Sequence, residues 1–242
     1  MTTTALFLLF VFAVGAAFVQ RTTGFGFGIF IMTALPYLMP SYGEATTLSG
    51  ILAMVTSTLL AVRYRKLLRW HKLLPILITF LIVSGGAVMM LKVLGTTTLH
   101  RILGVMLIVA SIYFWFFSNK IRIKPNLTTQ ISLGSLSGVM GGLFGMQGPP
   151  AVIYFLEVSK TKEEYTAIAQ TYFVLGNLVM TAYRAHSGFL TNEVFTAWCY
   201  AIPAVLIGTW IGNMAFKYIS LPLLKKIVYA YIGFSGIMAL VV

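Results

Sequence analysis

Runs of about twenty apolar residues follow one another along almost the whole chain, separated only by short polar loops. That is the length a helix needs to cross a bilayer, and no stretch is left over for a soluble domain. Composition agrees: 59% of the 242 residues are hydrophobic and 9% charged, against roughly half and a quarter in soluble domains. The chain therefore reads as an all-α polytopic membrane protein whose chemistry takes place inside the bilayer or at its edge.

Six spans are unbroken, at about residues 45–62, 73–94, 99–118, 164–183, 194–216 and 221–241. Two further apolar segments, 5–40 and 128–158, are each interrupted by glycines, TTGFGFG at 22–28 and GGLFGMQGPP at 141–150. Glycine costs a helix interior about 1 kcal/mol and proline about 3 kcal/mol, so each segment reads as two short helices meeting at a non-helical tip. The N-terminal MTTTALFLLFVFAVGAAFVQ lacks a charged leader and a clear cleavage site, and reads as part of the mature protein.

The broken segments also mark a repeat. GAAFVQRTTGFGFG from Gly15 resembles GSLSGVMGGLFGMQG from Gly134, about 119 residues on, AVRYR around Arg63 resembles TAYRA around Arg184, and the glycines after Ser84 match those near Gly208. Two self-similar halves, 1–124 and 125–242, are the mark of a transporter built from structural repeats.

If the broken segments are hairpins, each half has an odd number of crossings and the halves are inverted. With the loop 63–72 in the cytoplasm, Arg63, Arg65, Lys66, Arg69, Lys72, Lys120, Arg122, Lys124, Lys160, Lys162, Lys217, Lys225 and Lys226 lie inside, thirteen against three outside (Lys92, Arg101, Arg184). Single crossings give nine against seven. Basic residues favour cytoplasmic loops, so hairpins are expected, with both termini on the periplasmic face. Re-entrant and fully spanning hairpins share this parity.

The same residues exclude several functions. The five carboxylates, Glu44, Glu157, Glu163, Glu164 and Glu193, include no aspartate, one cysteine allows no internal disulfide, and three scattered histidines form no metal-ligand motif. No catalytic residue, metal or cofactor is expected. The net charge of +12 records membrane orientation rather than a nucleic-acid partner, because no basic stripe carries interleaved aromatics. The aromatic run 113–117 reads as an interfacial belt.

Non-helical backbone at membrane depth must be sheltered by protein or a watery cavity, so two breaks imply a polar site. At each tip the second half-helix is expected to present free amides and the positive dipole end to an anion. Candidate substrate-binding residues are Gln20, Arg21, Thr22, Thr23, Gly24, Gly26 and Gly28 at the first tip, and Gly145, Met146, Gln147, Gly148 and Pro149 at the second. Arg21 either binds substrate or snorkels to the interface, and Gln147 and Gly148 either bind or cap. Gln170 and Asn177, seven apart, share one helical face and either line the cavity or bond between helices. Ser49 is the repeat mate of Gln170. Arg63 and Arg184, repeat mates at helix ends, read as interfacial anchors, with anion funnels as the alternative.

On these motifs, GGLFGMQGPPAVIYFL with its GxxGPP core and TTGFGFG in the first half, the chain resembles the TauE/SafE family of sulfite exporters over essentially its whole length. The resemblance implies transport of sulfite, thiosulfate or organosulfonates such as sulfoacetate across the bacterial cytoplasmic membrane. The first tip departs from the triple-glycine form of many relatives, with phenylalanines between its glycines. The leading expectation is a secondary carrier with a small anionic substrate; its coupling ion (H+ or Na+) and any homo-oligomer are not legible in the sequence. A passive anion channel is the alternative, and a membrane enzyme or scaffold leaves the paired glycine breaks unexplained.

Overall fold

The computed structural model describes residues 2–116 and 125–215 together with Ala230, Gly233, Ile237 and Leu240. The expected last span, 221–241, and the end of the 99–118 span lie outside the described residues, apart from those four isolated positions. Every element within them is helical: α1 Thr3–Thr23, α2 Phe27–Ile31, α3 Leu35–Leu38, α4 Tyr42–Tyr64, α5 Trp70–Met90, α6 Thr96–Phe116, α7 Leu127–Phe144, α8 Gly148–Val158, α9 Lys162–His186 and α10 Asn192–Ala215. Among the described residues four helices are long and apolar enough to cross a membrane: α1, α4 with its short extension to Leu67, α5 and α10. Apolar side chains such as Ile82, Val93, Phe7 and Trp210 lie open on the outside, as a lipid-facing surface requires.

Short side-chain oxygens start the helices that hold the centre. Thr2, Ser41, Asn126 and Thr161 accept from the backbone N–H three residues on, capping α1, α4, α7 and α9. Ser41 and Glu44 bond reciprocally at the start of α4: the Glu44 N–H donates to Ser41 Oγ, which donates in turn to the Glu44 carboxylate at 2.8 Å.

The packing exchanges partners between the halves. α5 lies along α7, α10 lies along α1, and α4 packs against α9. These close approaches depend on small residues, which in lipid replace the hydrophobic drive that associates helices in water. On α7, Gly134, Gly138 and Gly142 fall four apart, and a Cβ on each would lie 2.9 Å or less from α5 atoms. On α10, a Cβ at Gly208 would lie 2.2 Å from the Val14 carbonyl oxygen of α1.

The two broken segments are hairpins with unequal arms. Their first arms, α1 and α7, are long helices of 21 and 18 residues rather than the short ones expected; their return arms are α2 with α3, and α8. Gly24 and Gly145 end the long arms at φ +85° and +68°, a left-handed backbone that lets the helix stop abruptly without a Cβ penalty.

Arg63, Arg65, Lys66, Arg69, Lys72, Lys160 and Lys162 gather at one end of the molecule, called here the basic end. There Lys72 Nζ donates to the Val158 carbonyl at 2.6 Å and to Glu164 at 2.7 Å, tying α5, α8 and α9 together.

Candidate functional site

The hairpin tips meet beside the α4–α9 pair. These two helices run antiparallel, so that Thr46 faces Arg184 and Gly50 faces Asn177. Gly28, at the start of the first hairpin's return arm, packs so closely on the second tip that a Cβ there would stand 2.0 Å from the Gly145 carbonyl oxygen. Ser49 Oγ lies beside both glycines and has no hydrogen-bond partner among the described residues.

A cavity of about 30 Å³, room for about two waters, lies between the tips, lined by Gln20, Gly26, Gly28, Gly145, Met146, Gln147, Gly148 and Asn177 with Phe25 and Phe173 as its apolar walls. Eight of the candidates thus converge on one space. Gln147 is fixed through its backbone, because the Ser137 hydroxyl donates to its carbonyl and also meets the Tyr172 hydroxyl at 2.6 Å. Its buried side-chain Oε1 has no partner among the described residues. That oxygen packs against α9, where a Cβ added at Gly176 would stand 2.6 Å from it.

Five further candidates line a second space, and Ser49 and Pro149 border neither. Arg21, Thr22, Thr23, Gly24 and Gln170 border a vestibule of about 220 Å³ at the basic end, with Tyr64, Lys162, Glu163 and Thr166. Arg21 is half-buried and its Nε donates to Asn213 on α10; it belongs to the vestibule and not to the cavity between the tips. The Thr22 and Thr23 hydroxyls bond carbonyls of their own helix turn, and Thr23 also bonds the Phe25 carbonyl, shaping the tip.

An amide partition separates the two spaces. Gln20 Nε2 donates to Ser57 Oγ at 2.7 Å and to Gln170 Oε1 at 3.2 Å, while Gln170 Nε2 donates to the Gly24 carbonyl at 2.8 Å. Gln170→Leu removes both of its bonds and leaves the half-buried Gly24 carbonyl without its side-chain partner, which is expected to cost about 1 kcal/mol. A thermal melt of the detergent-solubilised variant against wild type checks this.

Two expectations are corrected. The pair of helix N-termini reduces to one: α2 has only five residues, and at α8 Pro149 and Pro150 lack two of the four free amides. Pro149 is buried and packs at this helix start instead of offering a donor.

Arg184, read as an interfacial anchor, is fully buried. Its Nη1 donates to the Thr46 carbonyl at 2.9 Å and its Nη2 to the carbonyls of Gly141 at 2.8 Å and Gly142 at 3.2 Å, in the last turn of α7. The signal was present in the spacing. Gln170, Asn177 and Arg184 fall seven apart, so the face that carries the two amides carries the arginine as well. This polar stripe also explains why α9, at 25 residues long enough to span, is absent from the apolar candidates.

Comparison with known proteins gives one consistent answer. The chain is 24% identical over 200 residues to the probable sulfite/organosulfonate exporter TauE of Cupriavidus necator, covering 80% of this chain and 77% of that protein. No solved structure matches it. The model of the family described as "Sulfite exporter TauE/SafE" matches residues 8–239. With both glycine-rich breaks and every helix between them inside that match, the chain belongs to the TauE/SafE family of sulfite exporters.

Proposed function

We propose that this chain is a secondary carrier of a small sulfur oxyanion, sulfite, thiosulfate or an organosulfonate such as sulfoacetate, across the bacterial cytoplasmic membrane. The observation that carries this reading is the convergence of both hairpin tips on one small cavity bordered by Gln20, Gln147 and Asn177. The relative's name supports the substrate class. Gln147, Asn177 and the tip amides hold the oxyanion, and Phe25 and Phe173 exclude water from it. Arg21 and Lys162 draw the anion into the vestibule, which the Gln20–Gln170 partition closes from the cavity. An interrupted path of this kind suits a carrier better than a continuous pore.

In this reading the basic end faces the cytoplasm, as the thirteen-to-three distribution of cations favours. The exchanged pairing of α5 with α7 and α10 with α1 supports two inverted halves that rock against each other around the tips.

The test is thermal stabilisation of the purified protein by sulfite, thiosulfate, sulfoacetate, taurine, sulfate and chloride. A ligand at a hundred times its dissociation constant stabilises the native state by about 2.7 kcal/mol. One sulfur oxyanion is expected to raise the melting temperature of wild type, less so in Asn177→Ala and in Arg21→Gln, while chloride has no effect. A flat response to every sulfur anion overturns the substrate assignment.

A further inference from the structure

Arg184 stands in the fold without a counter-ion. Among the described residues no carboxylate pairs with it, and the buried guanidinium is held by carbonyl oxygens, two of them at the negative end of α7. It thereby fastens α9 to the second tip and to α4, at the end of the molecule opposite the vestibule.

The first half carries the same device in a different state. Pairing the left-handed helix ends Gly24 and Gly145 sets the register between the halves. In that register Ser49, beside Gly145, corresponds to Gln170, bonded to Gly24, and Arg63 corresponds to Arg184. Ser49, Thr56 and Arg63 repeat the seven-residue spacing of Gln170, Asn177 and Arg184. Yet Arg63 is exposed, with its guanidinium 5.7 Å from the Tyr64 ring, and the vestibule opens below the first tip where Arg184's counterpart would close.

We propose that Arg63 and Arg184 are alternate locks of the transport cycle: Arg184 seals the second tip in the conformation seen here, and Arg63 seals the first tip, on the carbonyls of Gln20 and Arg21, in the opposite one. This rests on the alternating-access reading above. The lock is reversible for a physical reason. A cation bound only to neutral carbonyls gives up less on release into water than one paired with a buried carboxylate, so two such sites can exchange without either state becoming a trap.

The experiment measures conformation without using any substrate. In a Cys199→Ser background, which removes the chain's single cysteine, Thr166→Cys in the vestibule is labelled by a charged, membrane-impermeant thiol reagent applied from the basic end. Arg184→Met is expected to lower the labelling rate about tenfold by releasing the state with the open vestibule, and Arg63→Met to leave it at or above the parent rate. Arg184→Lys, which keeps the charge but not the fork, is expected to fall between.

Beside the labelling, Arg63→Met has a second expected result, read with sulfite as the probe: an unchanged melting temperature with loss of sulfite exchange across vesicle membranes. It also keeps the test decisive if Arg184→Met does not fold. Labelling that moves in neither variant, or full exchange by Arg63→Met, overturns the proposal. Failure of sulfur anions to bind overturns the substrate assignment alone, because the labelling result does not depend on it.

Discussion

Gly28→Ala is expected to abolish substrate binding and transport together. The added Cβ would start 2.0 Å from the Gly145 carbonyl oxygen, a backbone atom that cannot rotate away. A non-bonded carbon and oxygen need more than 3.0 Å, so the two tips must part by about 1 Å, enough to spoil positioned contacts at a binding site. Overpacking of this kind costs about 1–3 kcal/mol. The backbone at Gly28 is ordinary helix, so the effect comes from space and not from strain. The matched control is Gly86→Ala on the lipid-facing side of α5, where a Cβ meets nothing within 4 Å. It is expected to be neutral or to stabilise by about 0.5–1 kcal/mol through helix propensity. Anion-dependent melting curves and vesicle transport of both variants decide the matter; a Gly28→Ala protein that binds and transports like wild type places the site elsewhere.

The largest loss of stability is expected from Gly142→Leu. A Cβ there would lie 2.5 Å from the Ala87 Cβ and 2.9 Å from the Ser84 carbonyl, so even alanine forces α7 away from α5. Leucine adds three further carbons to a contact with no free volume, at a cost of about 3 kcal/mol or more. The Gly142 carbonyl is also one of the three that hold Arg184, so a shifted α7 leaves part of a buried charge unsatisfied. The milder Gly142→Ala allows a double-mutant cycle. Ala87→Gly removes the nearer of the two clashing atoms, and the pair is expected to recover about 1 kcal/mol of the single variant's loss. Thermal melts of the four proteins measure this, and strict additivity would show that the two positions do not press on each other.

Much of this was legible because each signal is local. The tips were found from Gly24, Gly26 and Gly145, since a left-handed helix end selects glycine from its immediate backbone. Gln170 and Asn177 were placed on one face by the helical period, and both turn inward. Arm length was misjudged: glycine at 24 says where α1 ends, but whether the residues before it form a long or a short helix depends on what packs along them, here α10. The two helix N-termini were overcounted for a related reason. A second short helix was inferred after each tip, yet the chain from Phe27 to Leu38 breaks again into α2 and α3 as it packs beneath α4.

Membrane spanning, the places where the two glycine-rich segments break, and the family were all readable from the residues alone, because hydropathy, glycine backbone freedom and motif spacing act over a few residues at a time. The division of thirteen candidates between a cavity and a vestibule, the place of Gln20 and Gln170 between the two, and the burial of Arg184 but not Arg63 came from the packing. Those outcomes depend on which helices approach closely enough to exclude water. Close approach is a property of two surfaces far apart in the chain, as the Gln20 bonds to Ser57 and Gln170 illustrate at separations of 37 and 150. Two arginines in matching positions of a repeat carry identical local signals, and the packing around each, carbonyls for one and solvent for the other, is what separates them.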